Sequence, residues 1–305
     1  MSYKLFIVIG AGGYLGRYFI ETNKKDKKNL YFLIFKNKNF QKINNKNFIY
    51  FYGNILNIQN QIKDKIRSLK IKNKEIVLLH LASLTDIEKC EKNKRLARQT
   101  NINLTKNILK FSKKIKIDKY FYFSTVQIYK PTKKIITESS EALPNSYYGK
   151  TKLISENLVK KFCSENKIYF YILRLSNIIS KYPKENTLLF SIFRNLKPSK
   201  KIFNIENPEA KRDFISIEYL FYIVNFLIKL KKKNKSGIFN ISSGKNYSVA
   251  QIVEYIRKKR KLNYKKIMYN YKSIKNVSFN ISNKKILKLG IKKQFDTLNY
   301  LNKIL

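Results

Sequence analysis

Tryptophan is absent from the 305 residues, histidine occurs once and cysteine twice. Each scarcity excludes something. The lone His80 leaves no set of imidazoles for a His-based zinc site, so no metal is expected, and it argues against a Ser-His-Asp triad. Cys90 and Cys163 stand far apart, form no CxxC and offer no disulfide framework, which points to a reducing compartment. No internal repeat and no Pro/Ser-rich linker divides the chain, which has only five prolines. Long apolar runs are missing too. The longest, near Tyr219–Leu230, has about 12 residues and reads as a buried helix, because crossing a bilayer takes roughly 20. The opening, Met1–Gly16, carries an apolar run but no basic cluster and no A-x-A-like cleavage site, so it is not read as a secretory signal. A cytoplasmic protein without a membrane partner is the expectation.

Acidic residues are scarce as well, 19 against 65 basic ones, for a net charge of +46. A nucleic-acid or anionic-membrane partner is one reading of that excess. The excess is lysine, however, with only nine arginines, and specific phosphate and base recognition favours the planar fork of arginine. The lysines are spread along the whole chain rather than gathered in a block. Lys, Asn, Ile, Phe and Tyr are abundant together, and all have AT-rich codons. A compositional bias of the source genome explains the set, so a nucleic-acid partner is not expected despite the charge.

What is present is a hydrophobic fraction of 44%, ample for a sizeable core. Strand-like apolar runs (Leu5–Ile9, Leu30–Phe35, Phe48–Phe51, Ile76–Leu79, Tyr120–Phe123 and Ile168–Leu173) alternate with helical patterns over Tyr14–Glu21, Ile58–Leu69, Leu96–Phe111 and Tyr147–Phe162. Continuous apolar strands suit a parallel sheet covered on both faces. The alternation predicts an α/β fold with a Rossmann-type doubly wound parallel sheet over 1–176. Beyond Asn177 the pattern loosens. Short strands near Ile202–Phe203, Phe214–Ile215 and Ile238–Ile241 mix with helices near Ile217–Lys229 and Val249–Lys258. This predicts a smaller C-terminal α/β substrate-binding lobe over 177–305, partly interleaved with the first domain.

The run Gly10-Ala11-Gly12-Gly13-Tyr14-Leu15-Gly16 follows the first strand and opens a helix, with Gly10, Gly13 and Gly16 in G-x-x-G-x-x-G spacing. A tight turn needs residues without Cβ, a pyrophosphate must approach backbone N–H groups, and the helix N-terminus stabilises the anion. In a chain with nine glycines, this spacing arises by chance on the order of 0.01 times. It predicts nucleotide binding.

A second pattern, Tyr148-Gly149-Lys150-Thr151-Lys152, puts a tyrosine and a lysine on one helix face. There Lys152 can lower the Tyr148 phenol from its usual pKa of about 10. With 22 tyrosines and so many lysines, roughly four such pairs occur by chance, so the context must decide.

The context resembles the extended short-chain dehydrogenase/reductases, the NAD-dependent epimerase/dehydratase family, from Lys4 to about Leu289. His80-Leu81-Ala82 ends the fourth strand. Asn101-Ile102-Asn103-Leu104-Thr105 is similar to the family's N-x-x-G-T. Phe123-Ser124-Thr125-Val126-Gln127-Ile128-Tyr129 is similar to S-[ST]-x-x-V-Y. Tyr148 and Lys152 follow about 20 residues later. Leu173-Arg174-Leu175-Ser176-Asn177 matches L-R-x-x-N, Arg212-Asp213-Phe214-Ile215 matches R-D-[FY], and Gly237-Ile238-Phe239-Asn240-Ile241 matches G-x-[FY]-N-[IV].

The resemblance implies an NAD(P)-dependent enzyme acting on a nucleotide-activated sugar. Thr125 takes the place of the catalytic Ser/Thr that hydrogen-bonds the reacting oxygen, Tyr148 that of the acid/base, and Lys152 that of the residue that holds the nicotinamide ribose and depresses the Tyr148 pKa. Gly10, Gly12, Gly13, Tyr14, Leu15 and Gly16 border the pyrophosphate, Asn54 and Ile55 the adenine, and Leu81, Ala82 and Asn101 the rest of the cofactor. Ser83, Thr125, Asn177 and Arg212 fall on the substrate side, with Asn177 and Arg212 at the diphosphate. Each has a plainer alternative: Thr125 satisfying backbone at a strand end, Asn177 forming a turn, Arg212 pairing with Asp213, and His80 packing near the cofactor. A homodimer through two helices per subunit is also implied, with Leu153, Ile154, Leu158 and Val159 on one of them.

The departures bear on specificity. No acid follows the second strand, where Phe35-Lys36-Asn37-Lys38 stands. Between NAD and NADP this leans toward NADP, with Lys36 on the 2′-phosphate. Asn54 replaces a family Asp, and Lys130 a family Gly. Val126 and Gln127 occupy the positions where sugar 4,6-dehydratases carry an Asp-Glu pair, which argues against elimination of water. A 4-epimerase and an NADPH-consuming 4-ketoreductase remain open, and the stretch Ser83–Glu91 resembles the matching region of deoxysugar 4-ketoreductases. A reading of another class, a non-catalytic dinucleotide- or RNA-binding protein, is opposed by the retention of Thr125, Tyr148 and Lys152.

Overall fold

A computed structural model describes residues 3–38, 40–70, 74–181, 185, 187–196, 202–230, 236–262, 266–270 and 279–305. The chain begins β1 (Lys4–Ile9), α1 (Tyr14–Asn23), β2 (Leu30–Phe35), β3 (Phe48–Tyr52), α2 (Ile55–Ser68) and β4 (Glu75–His80). It continues through α3 (Ile87–Lys92), α4 (Lys94–Ala97), α5 (Leu104–Ile115), β5 (Lys119–Thr125), β6 (Thr132–Ile136) and α6 (Tyr147–Glu165). Next come β7 (Tyr169–Leu175), β8 (Asn177–Ile179), α7 (Leu188–Asn195), β9 (Ile202–Glu206), β10 (Lys211–Ser216) and α8 (Ile217–Lys229). The last elements are β11 (Gly237–Ile241), β12 (Asn246–Ser248), α9 (Val249–Lys259), β13 (Lys266–Asn270), β14 (Phe279–Ile281), α10 (Lys284–Leu287) and α11 (Thr297–Ile304).

Two units result, Met1–Ile128 with Leu143–Leu173 and Leu227–Ile238, and Tyr129–Ala142 with Arg174–Phe226 and Phe239–Leu305. The seven-stranded sheet has the order β11-β7-β5-β4-β1-β2-β3. β1 runs parallel to β2 and β4, β2 to β3, and β4 to β5. The order reverses at β1, which makes this the doubly wound Rossmann-type arrangement.

The apolar runs form these strands because both sheet faces are covered. All six residues of β2 are buried. Leu5, Ile7 and Ile9 of β1 face one core, shared with Ile55, Ile58, Ile62 and Ile66 of α2 and with α5 and α6. On the other face, Phe6 of β1 stacks on Tyr31 of β2, and both meet Phe19 of α1 edge-on. In α2 the four isoleucines recur every three or four positions, so the helix buries one stripe and leaves residues such as Asn60, Asp64 and Lys65 exposed.

Three expectations need correction. The helix expected over Leu96–Phe111 is broken: α4 ends at Ala97, a π-helical turn spans Arg98–Asn103, and α5 begins at Leu104. β11, which reads as part of the loosened second half, is the edge strand of the large sheet. Of the four apolar residues expected at a dimer surface, Val159 is fully buried in the core, whereas Ile154 is 46% exposed. The 3.6-residue period puts 159 on the same face as Tyr148, Lys152 and Glu156. Nor is every lysine a surface residue. Buried Lys119 donates from Nζ to Ile228 O (2.6 Å) and Leu230 O (3.0 Å) and pairs with Glu75 Oε1 at 2.8 Å.

The second unit is built from small sheets. β10 pairs antiparallel with β12 and parallel with β8, β9 pairs with β13, and β6 pairs with β14. α7, α9 and α11 close its apolar core around Leu189, Ile252, Val253 and Leu301. A capping box, Ser248 with Gln251, starts α9. No helix among the described residues is long and apolar enough to cross a membrane.

Candidate active site

The glycine run leaves β1 at the point where the strand order reverses. Gly10 N and Ala11 N both donate to Ile34 O of β2 (3.2 and 3.1 Å), and Gly13 N closes the turn onto Gly10 O at 3.0 Å. Gly10 has φ +90°, and a Cβ there would lie 2.6 Å from Ala82 N. A Cβ on Gly16 would lie 2.5 Å from the carbonyl oxygens of Gly10 and Ala11. These two glycines are therefore demanded by the fold.

Gly13 is different. It is the N-cap of α1 with φ −76°, open to any residue, and a Cβ would meet only Gly10 O at 3.3 Å. No side chain caps α1 there. A glycine with so little internal reason, at an uncapped helix N-terminus, leaves backbone bare for an approaching anion. The residues thus fit a dinucleotide pyrophosphate. Tyr14 and Leu15 begin α1. Arg17 Nε donates to Gly12 O at 2.9 Å, with its guanidinium over the Phe40 ring, and the Phe35 ring lies under Gly12. Sequence reasoning missed Arg17 and Phe35 because neither belongs to the glycine spacing.

Lys36 follows β2 directly and is exposed. Asn54 is the N-cap of α2, its Oδ1 accepting from Leu56 N at 3.1 Å, and Ile55 is buried behind it. Beyond β4, Leu81 N and Ala82 N donate to Ile9 O (2.9 and 3.0 Å), so this strand end is locked beside the glycine turn. Ser83 Oγ donates to Asn101 Oδ1 at 3.0 Å.

Asn101 lies in the π-helical turn and is buried. Its Oδ1 also accepts from Leu84 N (2.8 Å), and its Nδ2 donates to Leu84 O (3.1 Å) and Thr151 Oγ1 (2.9 Å). Its carbonyl accepts from Thr105 Oγ1 at 2.6 Å and Ser155 Oγ at 3.0 Å. The residue ties the segment after β4 to α6. His80 is buried, its Nδ1 2.8 Å from the Tyr120 hydroxyl, and burial presses its pKa down to about 3, so the ring is neutral.

Thr125 ends β5 and Tyr148 is the second residue of α6. Two features seat the start of α6 against the turn after β5. Ser146 caps the helix through Gly149 N at 3.1 Å, and Gly149 lies so close that a Cβ would meet Gln127 O at 2.4 Å. Thr125 Oγ1 accepts from Gln127 N at 3.2 Å. Burial raises the Tyr148 phenol above its ordinary pKa, while hydrogen bonding from the Thr125 hydroxyl favours the ionised form. The lowered phenol expected from the Tyr-Lys spacing is thus not a property of the chain by itself. Desolvation outweighs the neighbours, and Lys152 is engaged nearby. Its Nζ donates to Phe123 O at 2.6 Å and lies 4.2 Å from the centre of the Tyr122 ring. Burial lowers Lys152 to about 7, with the Glu156 carboxylate acting in the opposite direction.

Two participants went unread in the sequence. Ser124 donates from Oγ to Glu156 Oε1, and Glu156 is 1% exposed. The spacing Tyr148, Lys152, Glu156 repeats every four residues on one helix and was available as a signal.

In the second unit, Asn177 opens β8 and donates from Nδ2 to Asp213 O at 2.9 Å, tying β8 to β10. Arg212 lies on β10 beside buried Asp213, and burial pulls its guanidinium pKa below the usual value. The Asp213 carboxylate is taken up by the turn at 243–244, accepting from Ser243 N, Ser243 Oγ and Gly244 N at 2.9, 2.8 and 2.9 Å. Burial nevertheless raises it to about 6. No cluster of His, Cys, Asp and Glu able to hold a metal occurs among the described residues.

The model of the NAD dependent epimerase/dehydratase family matches residues 6–242. The chain is 25% identical over 263 residues to an ADP-L-glycero-D-manno-heptose-6-epimerase of Brachyspira hyodysenteriae, covering 83% of this chain and 80% of the relative. It is 27% identical over 260 residues to a putative UDP-glucose 4-epimerase of Methanocaldococcus jannaschii, covering 83% and 81%. Its fold is similar to that of the UDP-glucuronic acid 4-epimerase from Bacillus cereus, solved with UDP-glucuronic acid and NAD. The TM-score is 0.79 at 20% identity, over 99% of this chain and 100% of the other.

Proposed function

Since this chain belongs to the NAD-dependent epimerase/dehydratase family, we propose that it is an NAD(P)-dependent epimerase or reductase of a nucleotide-activated sugar. The observation that carries the reading is the juxtaposition of Thr125, at the end of β5, with Tyr148 and Lys152 on α6, where β5 neighbours the strand β4 that leads into the locked segment beside the glycine turn. Relatives named as sugar-nucleotide epimerases support the substrate class.

Gly10, Gly12, Gly13 and Gly16, with the start of α1, are assigned to the dinucleotide pyrophosphate, Asn54 and Ile55 to the adenine end, and Lys36 to a 2′-phosphate. Leu81, Ala82 and Asn101 border the remainder of the cofactor. A bound nicotinamide supplies hydride acceptance and donation. Tyr148 Oη then gives or takes the proton of the sugar hydroxyl, while Thr125 Oγ1 holds that oxygen in line. The Lys152 ammonium stabilises the phenolate that forms when the proton leaves Tyr148, which offsets the burial that otherwise keeps the phenol protonated. Ser83 is assigned to the substrate. In the second unit, Arg212 and Asn177 are assigned to the diphosphate, where a guanidinium binds phosphate oxygens in pairs. Val126 and Gln127 offer no carboxylates for elimination, which favours epimerisation or reduction over dehydration. The stretch Ser83–Glu91 is what keeps a 4-ketoreductase as the second reading.

Native mass spectrometry and absorbance of freshly purified protein test the proposal. Near-stoichiometric retained NAD supports an epimerase that recycles its cofactor. Empty protein stabilised by NADPH supports the ketoreductase and the role of Lys36. Protein that neither retains nor gains stability from any nicotinamide dinucleotide ends the proposal.

A further inference from the structure

Glu156 is a carboxylate with almost no access to solvent, inside a helix of a chain that is otherwise poor in acids. Burying a carboxylate is costly unless something nearby compensates it. Its neighbourhood is ordered in a specific way. Three consecutive residues end β5. Phe123 accepts the Lys152 ammonium through its carbonyl at 2.6 Å. Ser124 donates its hydroxyl to Glu156 Oε1. Thr125 presents its hydroxyl to the Tyr148 phenol. Tyr148, Lys152 and Glu156 stand at four-residue intervals on the face that α6 turns to that strand end. The helix stripe and the strand end are therefore joined residue by residue, and Glu156 holds the middle of the strand segment while lying one helical turn from Lys152.

We infer that Glu156 is a positioning residue that acts on the Lys152 ammonium one helical turn away and, through Ser124, fixes the strand end that carries Thr125. This rests on the reading of Lys152 as the residue that supports Tyr148. The groups facing the ammonium are few. Tyr122 of β5 offers its ring. His80 of β4 is neutral at working pH and repels the ammonium only when it is protonated. On α6, Tyr148 is a protonated phenol, and Glu156 is the carboxylate that opposes the desolvation of Lys152. With that opposition Lys152 titrates near 7; without it the ammonium deprotonates at lower pH. A Ser124 partner alone could have been supplied by a neutral amide, which would have avoided burying a charge.

The test needs no substrate. In protein with 13Cε-labelled lysine, one resonance should titrate near pH 7 while ordinary lysines stay charged until far higher pH. Lys152→Met identifies it by its disappearance. Glu156→Gln keeps the size and an acceptor for Ser124 but removes the charge, and should lower the midpoint by on the order of one pH unit. Ser124→Ala removes the hydrogen bond but keeps the charge, and should leave the midpoint in place. An unchanged midpoint in folded Glu156→Gln overturns the inference, as does a Lys152 that titrates with the other lysines. Once a substrate is in hand, Glu156→Gln should match wild type at low pH, lose kcat/KM progressively as pH rises through about 6 to 7, and show a constant deficit above that. A purely structural defect lowers it equally at every pH. If no nicotinamide dinucleotide binds, the functional proposal fails while the titration still reports on Glu156.

Discussion

The Tyr148 hydroxyl is the atom on which the proposed chemistry depends. Burial makes the phenol a worse acid than tyrosine in water, with the Thr125 hydroxyl acting the other way, and the proposed chemistry further requires a charged Lys152. Tyr148→Phe is expected to keep cofactor binding and lose at least about 100-fold in turnover. Comparable rates for mutant and wild type would remove Tyr148 from the mechanism. Gly13 carries the opposite expectation. A Cβ there meets only Gly10 O, at 3.3 Å, so Gly13→Val should fold with some loss of stability and lose NAD(P) binding. Isothermal titration of the two proteins decides this, and equal affinities would displace the pyrophosphate from the turn. His80, the single imidazole, has a folded pKa near 3 against an ordinary 6.5. Between those values the unfolded chain binds the extra proton. The His80 contribution to stability is therefore complete above pH 6.5 and is lost as pH falls toward 3, by about 1.4 kcal/mol per pH unit. His80→Gln should flatten that stretch of the denaturation profile.

Among the elements, the π-helical turn is where local sequence and structure diverge most. Leu96–Phe111 reads as a continuous amphipathic helix because its apolar residues keep the helical period, and periodicity is blind to one extra residue per turn. Within the wide turn at Arg98–Asn103, the Asn101 amide bonds Ser83, Leu84 and Thr151, and its carbonyl accepts from Ser155 of α6 as well as from Thr105 four residues on. Asn101→Ala removes the side-chain bonds to Ser83, Leu84 and Thr151 while the backbone carbonyl stays, and should cost about 2–4 kcal/mol. Hydrogen exchange should speed up selectively over Ser83–Asn93, while β1 and β2 keep their protection. Uniform acceleration, or none, would contradict the assignment of Asn101 as the tie between these segments.

Over the whole molecule, a net charge of +46 spread along the chain means like-charge repulsion in the folded state that outweighs a handful of exposed ion pairs. Raising ionic strength from about 0.05 to 0.5 M shortens the Debye length severalfold and should raise Tm. A fall in Tm would mean that ion pairs, not repulsion, dominate.

The glycine run, the apolar strands and the order of short motifs were legible in the chain itself, because each depends on local chemistry: a turn that excludes Cβ, strands dry on both faces, a helix that puts residues four apart on one side. They were enough for the Rossmann-type fold, the family and the glycine turn at the end of the first strand. Other features required the folded chain. That β11 pairs at the edge of the large sheet, that Val159 faces the core, that Lys119 is buried against Glu75 and that Glu156 grips Ser124 are facts about partners far apart in sequence. The same holds for the protonation of Tyr148 and Lys152. Spacing placed them on one face, but their pKa values follow from how much water the packed structure removes, and no local pattern encodes that quantity.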